Sequence, residues 1–187
     1  MFVLSPLLAL IALLVKLDSP GPVFFRQERI GLGFRPFRLF KFRTMAVDAP
    51  ERGPAITAGG DSRVTRVGRR LRRTKFDELP QLINVLRGEM SLVGPRPEVR
   101  KYVEIFRRDY EEILAVRPGI TDYAAIEFHD EEKVLARFEN PEEGYVREVL
   151  PRKIALYREY LARRGFWVDL GIIFRTVLRI VVGGAER

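Results

Sequence analysis

The first stretch of the chain, "MFVLSPLLALIALLV", limits the possible folds more than any other, because it is apolar from Phe2 to Val15 except for Ser5. A helix that crosses a bilayer needs about 20 apolar residues, and runs of 10 to 14 are more often buried, interfacial or re-entrant. The flanking "KLDSPGPV" offers no small-residue cleavage site, and no basic segment precedes the run, which argues against a secretory leader. Pro6 removes a backbone donor inside the run, so a helix there must start or bend at Ser5-Pro6. Two readings follow, a buried core helix and a membrane-embedded segment. We expect the second, with residues 1–18 as that segment and 19–187 as the domain that follows it.

Acidic partners follow from the net charge of +8: nucleic acid, anionic headgroups or a phosphorylated substrate. The absence of cysteine removes disulfides, thiolate nucleophiles and the usual zinc sites. With one histidine, a metal would be held by carboxylates, carbonyls and water, a donor set suited to Mg²⁺.

Past the helix-stopping "SPGPV", the segments "VFFRQERI" and "PFRLFKFRTM" flank "GLGF" and read as a β-hairpin. Val64, Val67 and Leu71 share a helical face beneath a run of arginines, and Leu82, Ile83 and Leu86 continue after Pro80, with Gly88 as C-cap. "MSLVGPRPE" reads as a loop. Tyr102, Val103, Phe106, Tyr110, Ile113 and Leu114 mark an amphipathic helix that "RPGIT" ends, and another helix is expected across 141–164 with Pro151 as kink or boundary. In the final apolar element, 166–183, the polar Asp169, Arg175, Thr176 and Arg179 fall on one side. That pattern suits a helix lying in the headgroup plane and equally one packed on the core. Phe166 and Trp167 would be interfacial anchors in the first case and core in the second. The fold class expected is therefore α+β, helix-rich, one compact domain with a small hairpin, a re-entrant or interfacial first helix and amphipathic helices at a membrane surface.

Seven of the thirteen residues from Arg63 to Lys75 are basic, and directly after them come Asp77 and Glu78. A plain reading makes Asp77 the N-cap of the helix after Pro80. A chemical reading combines the carboxylates, which attract Mg²⁺, with Lys41, Arg43 and Arg96, which attract a diphosphate; phosphoryl transfer asks for such positioning and charge neutralisation. A carboxylate can also be the nucleophile and form an acyl phosphate. His129 in "EFHDEE" reads as a loop or helix-start residue. A competing interpretation takes "RRLRRTK" as part of a nucleic-acid-binding module, and a third takes the chain as a membrane scaffold without chemistry.

Taken in order, "SPGPVFFRQERIG", "PFRLFKFRTM", "DELPQLINVLRGEMSLVGPRPE" and "VRPGIT" closely resemble the bacterial sugar transferases, the monotopic phosphoglycosyl transferases, in their minimal catalytic form. The resemblance runs from about Ser5 to the last helix. It implies transfer of a sugar 1-phosphate from a UDP-sugar to a polyprenol phosphate with release of UMP. The implied setting is the cytoplasmic face of the bacterial inner membrane, with Mg²⁺ and no nucleic acid. By the same resemblance Asp77 is the nucleophile, Glu78 its partner at the metal, Arg96 a phosphate ligand, and Lys41, Arg43 and Arg72 supporting cations. Ser5 and Pro6 match the break in the family's re-entrant helix. Two departures stand out: the stretch ahead of Ser5 is shorter than the arm relatives carry, and "TDYAAIEFHD" replaces a Gly and a Gln usual after "PGIT". The donor sugar is therefore not inherited.

Overall fold

The structure is a computed structural model that describes residues 4–53 and 59–185. Its first β element is the expected hairpin: β1 (Phe24–Ile30) pairs antiparallel with β2 (Pro36–Phe42), in register from Phe24↔Phe42 to Ile30↔Pro36. Gly33 and Phe34 at the turn both have φ +60°. Glycine adopts that conformation freely; Phe34 is held in it by packing on the main core and by Arg107, whose guanidinium lies 4.8 Å from the ring centroid. Phe37, Leu39, Phe40 and Phe42 of β2 are all buried, so this strand is covered on both faces.

Helix α1 (Ser5–Asp18) has Pro6 in its first turn, where a missing N–H costs nothing. Ser5 and Pro6 thus start the helix. Residues 1–3, ahead of the re-entrant break expected at Ser5 and Pro6, lie outside those described. Ile11 and Val15, one turn apart, pack on Phe42 of β2 and on Leu71, and burial of this kind is worth about 1.5–3 kcal/mol per side chain. The other side of α1 leaves Leu10, Leu13, Leu14 and Leu17 exposed. Its end is fixed twice. Arg43 donates to the carbonyls of Val15, Ser19, Pro20 and Pro22. Asp18 accepts from the Val67 N–H at the start of α2 (Arg66–Thr74), which Thr65 also caps through Gly68 N–H. A Cβ on Gly68 would meet the Thr44 carbonyl oxygen at 2.2 Å, so only glycine lets α2 lie this close to the chain leaving β2.

After α3 (Gln81–Leu86), Gly88 at φ +73° ends the helix as expected. The segment read as a loop contains β3 (Ser91–Val93), which pairs in parallel with β4 (Gly119–Thr121). Three-residue strands carry no readable alternation, and the nearby prolines flank the strand without interrupting it. The pairing needs Gly119, whose Cβ would lie 2.1 Å from Gly94 N. The long helix expected from 99 is two, α4 (Arg100–Ile105) and α5 (Arg107–Ile113), broken at Phe106. Its apolar periodicity still holds, because both halves face the same core. Short helices α6 (Tyr123–Glu127) and α7 (Glu131–Leu135) follow, with His129 half-buried in the turn between them. Residues 141–163 are helical as expected, from α8 (Pro141–Gly144) through a π turn to α9 (Leu150–Arg163), and Pro151 sits in the first turn of α9. The main core joins Tyr110, Ile113, Tyr145, Leu150, Ile154 and Tyr157.

Helix α10 (Phe166–Ala185) packs on α6, β3 and β4. Asp169 accepts from Tyr160 Oη (3.0 Å), Thr176 Oγ1 lies 2.6 Å from Thr121 Oγ1, and Ile172 is buried. The outward side carries Phe166, Trp167, Leu170, Phe174, Val177 and Leu178. At 73% and 78% exposure, Phe166 and Trp167 are not core residues. The helix therefore packs through Asp169, Ile172, Ile173 and Thr176, leaves Arg175 and Arg179 exposed, and presents an apolar arc to the surroundings. Among the described residues no helix is long and apolar enough to cross a membrane. The architecture is helix-rich with two small two-stranded sheets.

Candidate active site

The basic helix α2 stops at Lys75, whose left-handed backbone (φ +58°) reverses the chain. The one-turn 3-10 helix Phe76–Glu78 follows, then α3. Asp77 is not the N-cap of α3. That position is held by Pro80 with no side-chain cap, and Leu79 N–H bonds Phe76 O while Ile83 N–H bonds Pro80 O. The chain passes from one helical turn into the next, so Asp77 is free of capping duty. It is only 6% exposed, and its Oδ1 is buried without a hydrogen-bond partner.

Glu78 is treated in the opposite way. Lys41 Nζ lies 2.9 Å from Oε1, and Arg96 grips both carboxylate oxygens, one at 3.0 Å through Nη1 and the other through Nη2. Lys41 comes from β2 and Arg96 from the Pro-Arg-Pro loop after β3, so three separate segments meet at this carboxylate. The loop is itself fixed by buried Asp122, which accepts from the Arg96 N–H (2.9 Å) and from Ala125 N–H (2.5 Å), capping α6.

These surroundings separate the two neighbours electrostatically. Burial pushes the Asp77 carboxyl above the usual carboxylate range; Lys41 opposes it, and the adjacent Glu78 charge adds to it. Burial also works against ionised Glu78, but Arg96 and Lys41 outweigh it and hold the group well below that range. Desolvation lowers Lys41, with Arg96 acting in the same direction. Two cations against one carboxylate leave a net positive cluster beside Asp77.

Of the other cations expected here, Arg43 is engaged elsewhere, on the four carbonyls at the end of α1, and is not available to a phosphate. Arg72 bonds Thr44 Oγ1 (2.8 Å) and Glu132 (2.7 Å) while adding to the positive potential at Asp77. Glu78 has both oxygens occupied by cations, so it does not serve as a metal ligand in this arrangement. Among the described residues no cluster of three or more acidic, histidine or cysteine side chains forms a metal cage. A hard ion such as Mg²⁺ commonly takes only one or two carboxylates and completes its shell with water and phosphate, and Asp77 is the carboxylate of this pair that no cation occupies.

Sequence reasoning missed Asp122 and Gln81. The pattern of an aspartate just before the helical "YAAIE" could have marked Asp122 as an N-cap. Gln81, 1% exposed, carries no such signal.

Residues 1–183 match the family described as Bacterial sugar transferase. The chain is 40% identical over 188 residues to a UDP-N-acetylgalactosamine-undecaprenyl-phosphate N-acetylgalactosaminephosphotransferase of Aeromonas hydrophila, covering 98% of this chain and 41% of the relative. It is 45% identical over 183 residues to an undecaprenyl-phosphate glucose phosphotransferase of Komagataeibacter xylinus, covering 94% of this chain and 32% of the relative. With the exopolysaccharide production protein PSS of Rhizobium leguminosarum bv. phaseoli the identity is 38% over 192 residues, covering 98% of this chain and 90% of the relative. The chain thus spans well under half the length of the first two proteins and most of the third.

Proposed function

This chain belongs to the bacterial sugar transferase family, and on that premise we propose that it moves a sugar 1-phosphate from a UDP-sugar to undecaprenyl phosphate, releasing UMP. The product would be the first lipid-linked intermediate of a surface glycan such as an exopolysaccharide, capsule or O-antigen. The observation that carries this reading is the division of labour at the carboxylate pair. Glu78 gathers Lys41 and Arg96, while Asp77 keeps a buried oxygen unpaired.

Asp77 attacks the phosphorus that bears the sugar. An Asp77 oxygen–phosphorus bond forms, the bond to the bridging oxygen of the diphosphate breaks, and UMP departs with the electron pair. An oxygen of the lipid phosphate then attacks the same phosphorus and returns Asp77 to a free carboxylate. Lys41 and Arg96 bind the diphosphate oxygens and offset the charge that grows on UMP. Mg²⁺, held by Asp77 and the substrate phosphates, supplies further charge neutralisation at those oxygens when bound. The positive cluster lowers the cost of ionising Asp77 once a dianionic substrate excludes water.

Undecaprenyl phosphate lies in a bilayer, and the outward apolar arcs of α1 and α10 suit attachment to one leaflet, here taken as the cytoplasmic face. The mode is monotopic. The relatives' names carry two different donor sugars, so the test is a panel. Full-length chain in detergent, with Mg²⁺ and undecaprenyl phosphate, is expected to release UMP from at least one UDP-sugar. Silence across the panel overturns the reading. Without acceptor, the intact mass should rise by one phosphosugar, and Asp77→Asn should abolish that gain.

A further inference from the structure

Asp77, Gln81 and Asn84 follow one another at four- and three-residue spacing from the 3-10 turn Phe76–Glu78 into α3. All three are buried, at 6%, 1% and 0% exposure. A buried polar stripe of this kind requires that each group be satisfied or have another purpose. Asn84 is satisfied. Its Oδ1 accepts from Phe40 N–H (3.0 Å), and its Nδ2 donates to Arg38 O (2.9 Å) and to Glu89 (2.7 Å), locking α3 to the edge of β2. Gln81, three residues earlier, has the same amide chemistry and nothing to donate to: its Nε2 is buried without a partner. One turn before it, the Asp77 Oδ1 is an acceptor in the same condition.

An unpaired buried donor four residues after an unpaired buried acceptor, neither bonded to the other, complements a group that carries both an electrophilic centre and anionic oxygens. A phosphoryl group has that character. Leaving a buried amide N–H unpaired is costly, so its presence at this position needs a return that arrives with the ligand. We infer that Gln81 is a substrate-binding donor, whose side-chain amide bonds a non-bridging oxygen of the phosphoryl group that Asp77 attacks. The inference rests on the transfer reading above and adds a third positioning group to Lys41 and Arg96. As negative charge builds on that phosphoryl group, the bond strengthens, and Gln81 acts on the rate more than on ground-state binding.

The test compares full-length wild type with Gln81→Met and Gln81→Glu in detergent, measuring thermal unfolding and the rate at which phosphosugar adduct and UMP appear from a UDP-sugar without acceptor. Methionine fills similar volume and removes an amide that makes no bond, so its unfolding midpoint should equal or exceed wild type. The adduct-forming rate should fall about 100-fold with little change in KM, the size of effect seen when one preorganised donor is lost. Glutamate keeps the shape but replaces the donor with an acceptor, and should lose at least as much. A Gln81→Met enzyme at wild-type rate overturns the inference and leaves the transfer reading intact. A drop in unfolding midpoint, or failure to fold, shows that the amide has a structural partner and also overturns it. If wild type itself forms neither adduct nor UMP, both readings fall together.

Discussion

Two polar regions of this protein are equally dry and opposite in their bonding. Around Arg43, a buried guanidinium meets four backbone carbonyls at the end of α1, and its donors are almost fully used. Around Asp77, a buried carboxylate oxygen and the Gln81 amide meet nothing. The first region closes the chain on itself. The second, on the proposed reading, holds its hydrogen-bonding capacity for a molecule that arrives later. Sequence gives both regions the same appearance, a charged residue among apolar neighbours, and only the partners reveal which is structural.

The comparison can be broken most sharply at Asp77. The Asn variant should lose phosphosugar transfer by at least about 10⁴-fold, the scale seen when a nucleophile is removed, while its neutral-pH stability holds or rises. The sign follows from burial. The folded state raises the Asp77 pKa, so its contribution is fully favourable below the unfolded pKa and is lost as pH rises through the folded one. An uncharged isostere removes that loss, and unfolding curves at pH 7 check it. A marked fall in stability for Asp77→Asn would place Asp77 with the structural region.

Arg43→Ala should do the reverse, destabilising the fold by about 3 kcal/mol or more as buried carbonyls lose their donor, with turnover per folded molecule retained. Denaturant titration reads the first part and active-fraction kinetics the second. Arg96→Ala should fall between, lowering kcat/KM about 100-fold and weakening the fold at neutral pH. Glu78 is held low by Arg96 and Lys41, so its contribution is present above the unfolded pKa and is lost as pH falls through the folded one. Removing Arg96 should shrink that contribution at neutral pH and let the variant and wild type converge in acid, which stability measured from pH 3 to 7 will show. The smallest effect belongs to the outer arc of α10, where Trp167→Ser should weaken vesicle binding about tenfold and leave the unfolding midpoint unchanged, because that ring contributes little to the fold.

Periodicity and turn chemistry made the hairpin, the arginine helix and the segments around 102–114 and 141–163 legible, because each writes its buried face at regular spacing. The β3–β4 pair was not legible. Three-residue strands lack a pattern, and the pairing depends on Gly94 and Gly119 approaching across a gap in sequence that no local window spans. At the site, the residue types were readable and their partners were not. Lys41 and Arg96 meet at Glu78 from segments on either side of it, whereas Arg43, two residues from Lys41, turns to the C-terminal end of α1. The capping reading of Asp77 was excluded by the backbone at Lys75 and Pro80, which leaves no helix end for it to cap.

Asp18 ends α1 and at the same time holds the first turn of α2 by Val67. The leading helix is consequently no interchangeable leash. Whatever angle it adopts against a lipid sheet is passed, through one carboxylate, to the rod of arginines whose far end sets the turn bearing Asp77. A chimera given a foreign greasy anchor would stay attached and lose its aim.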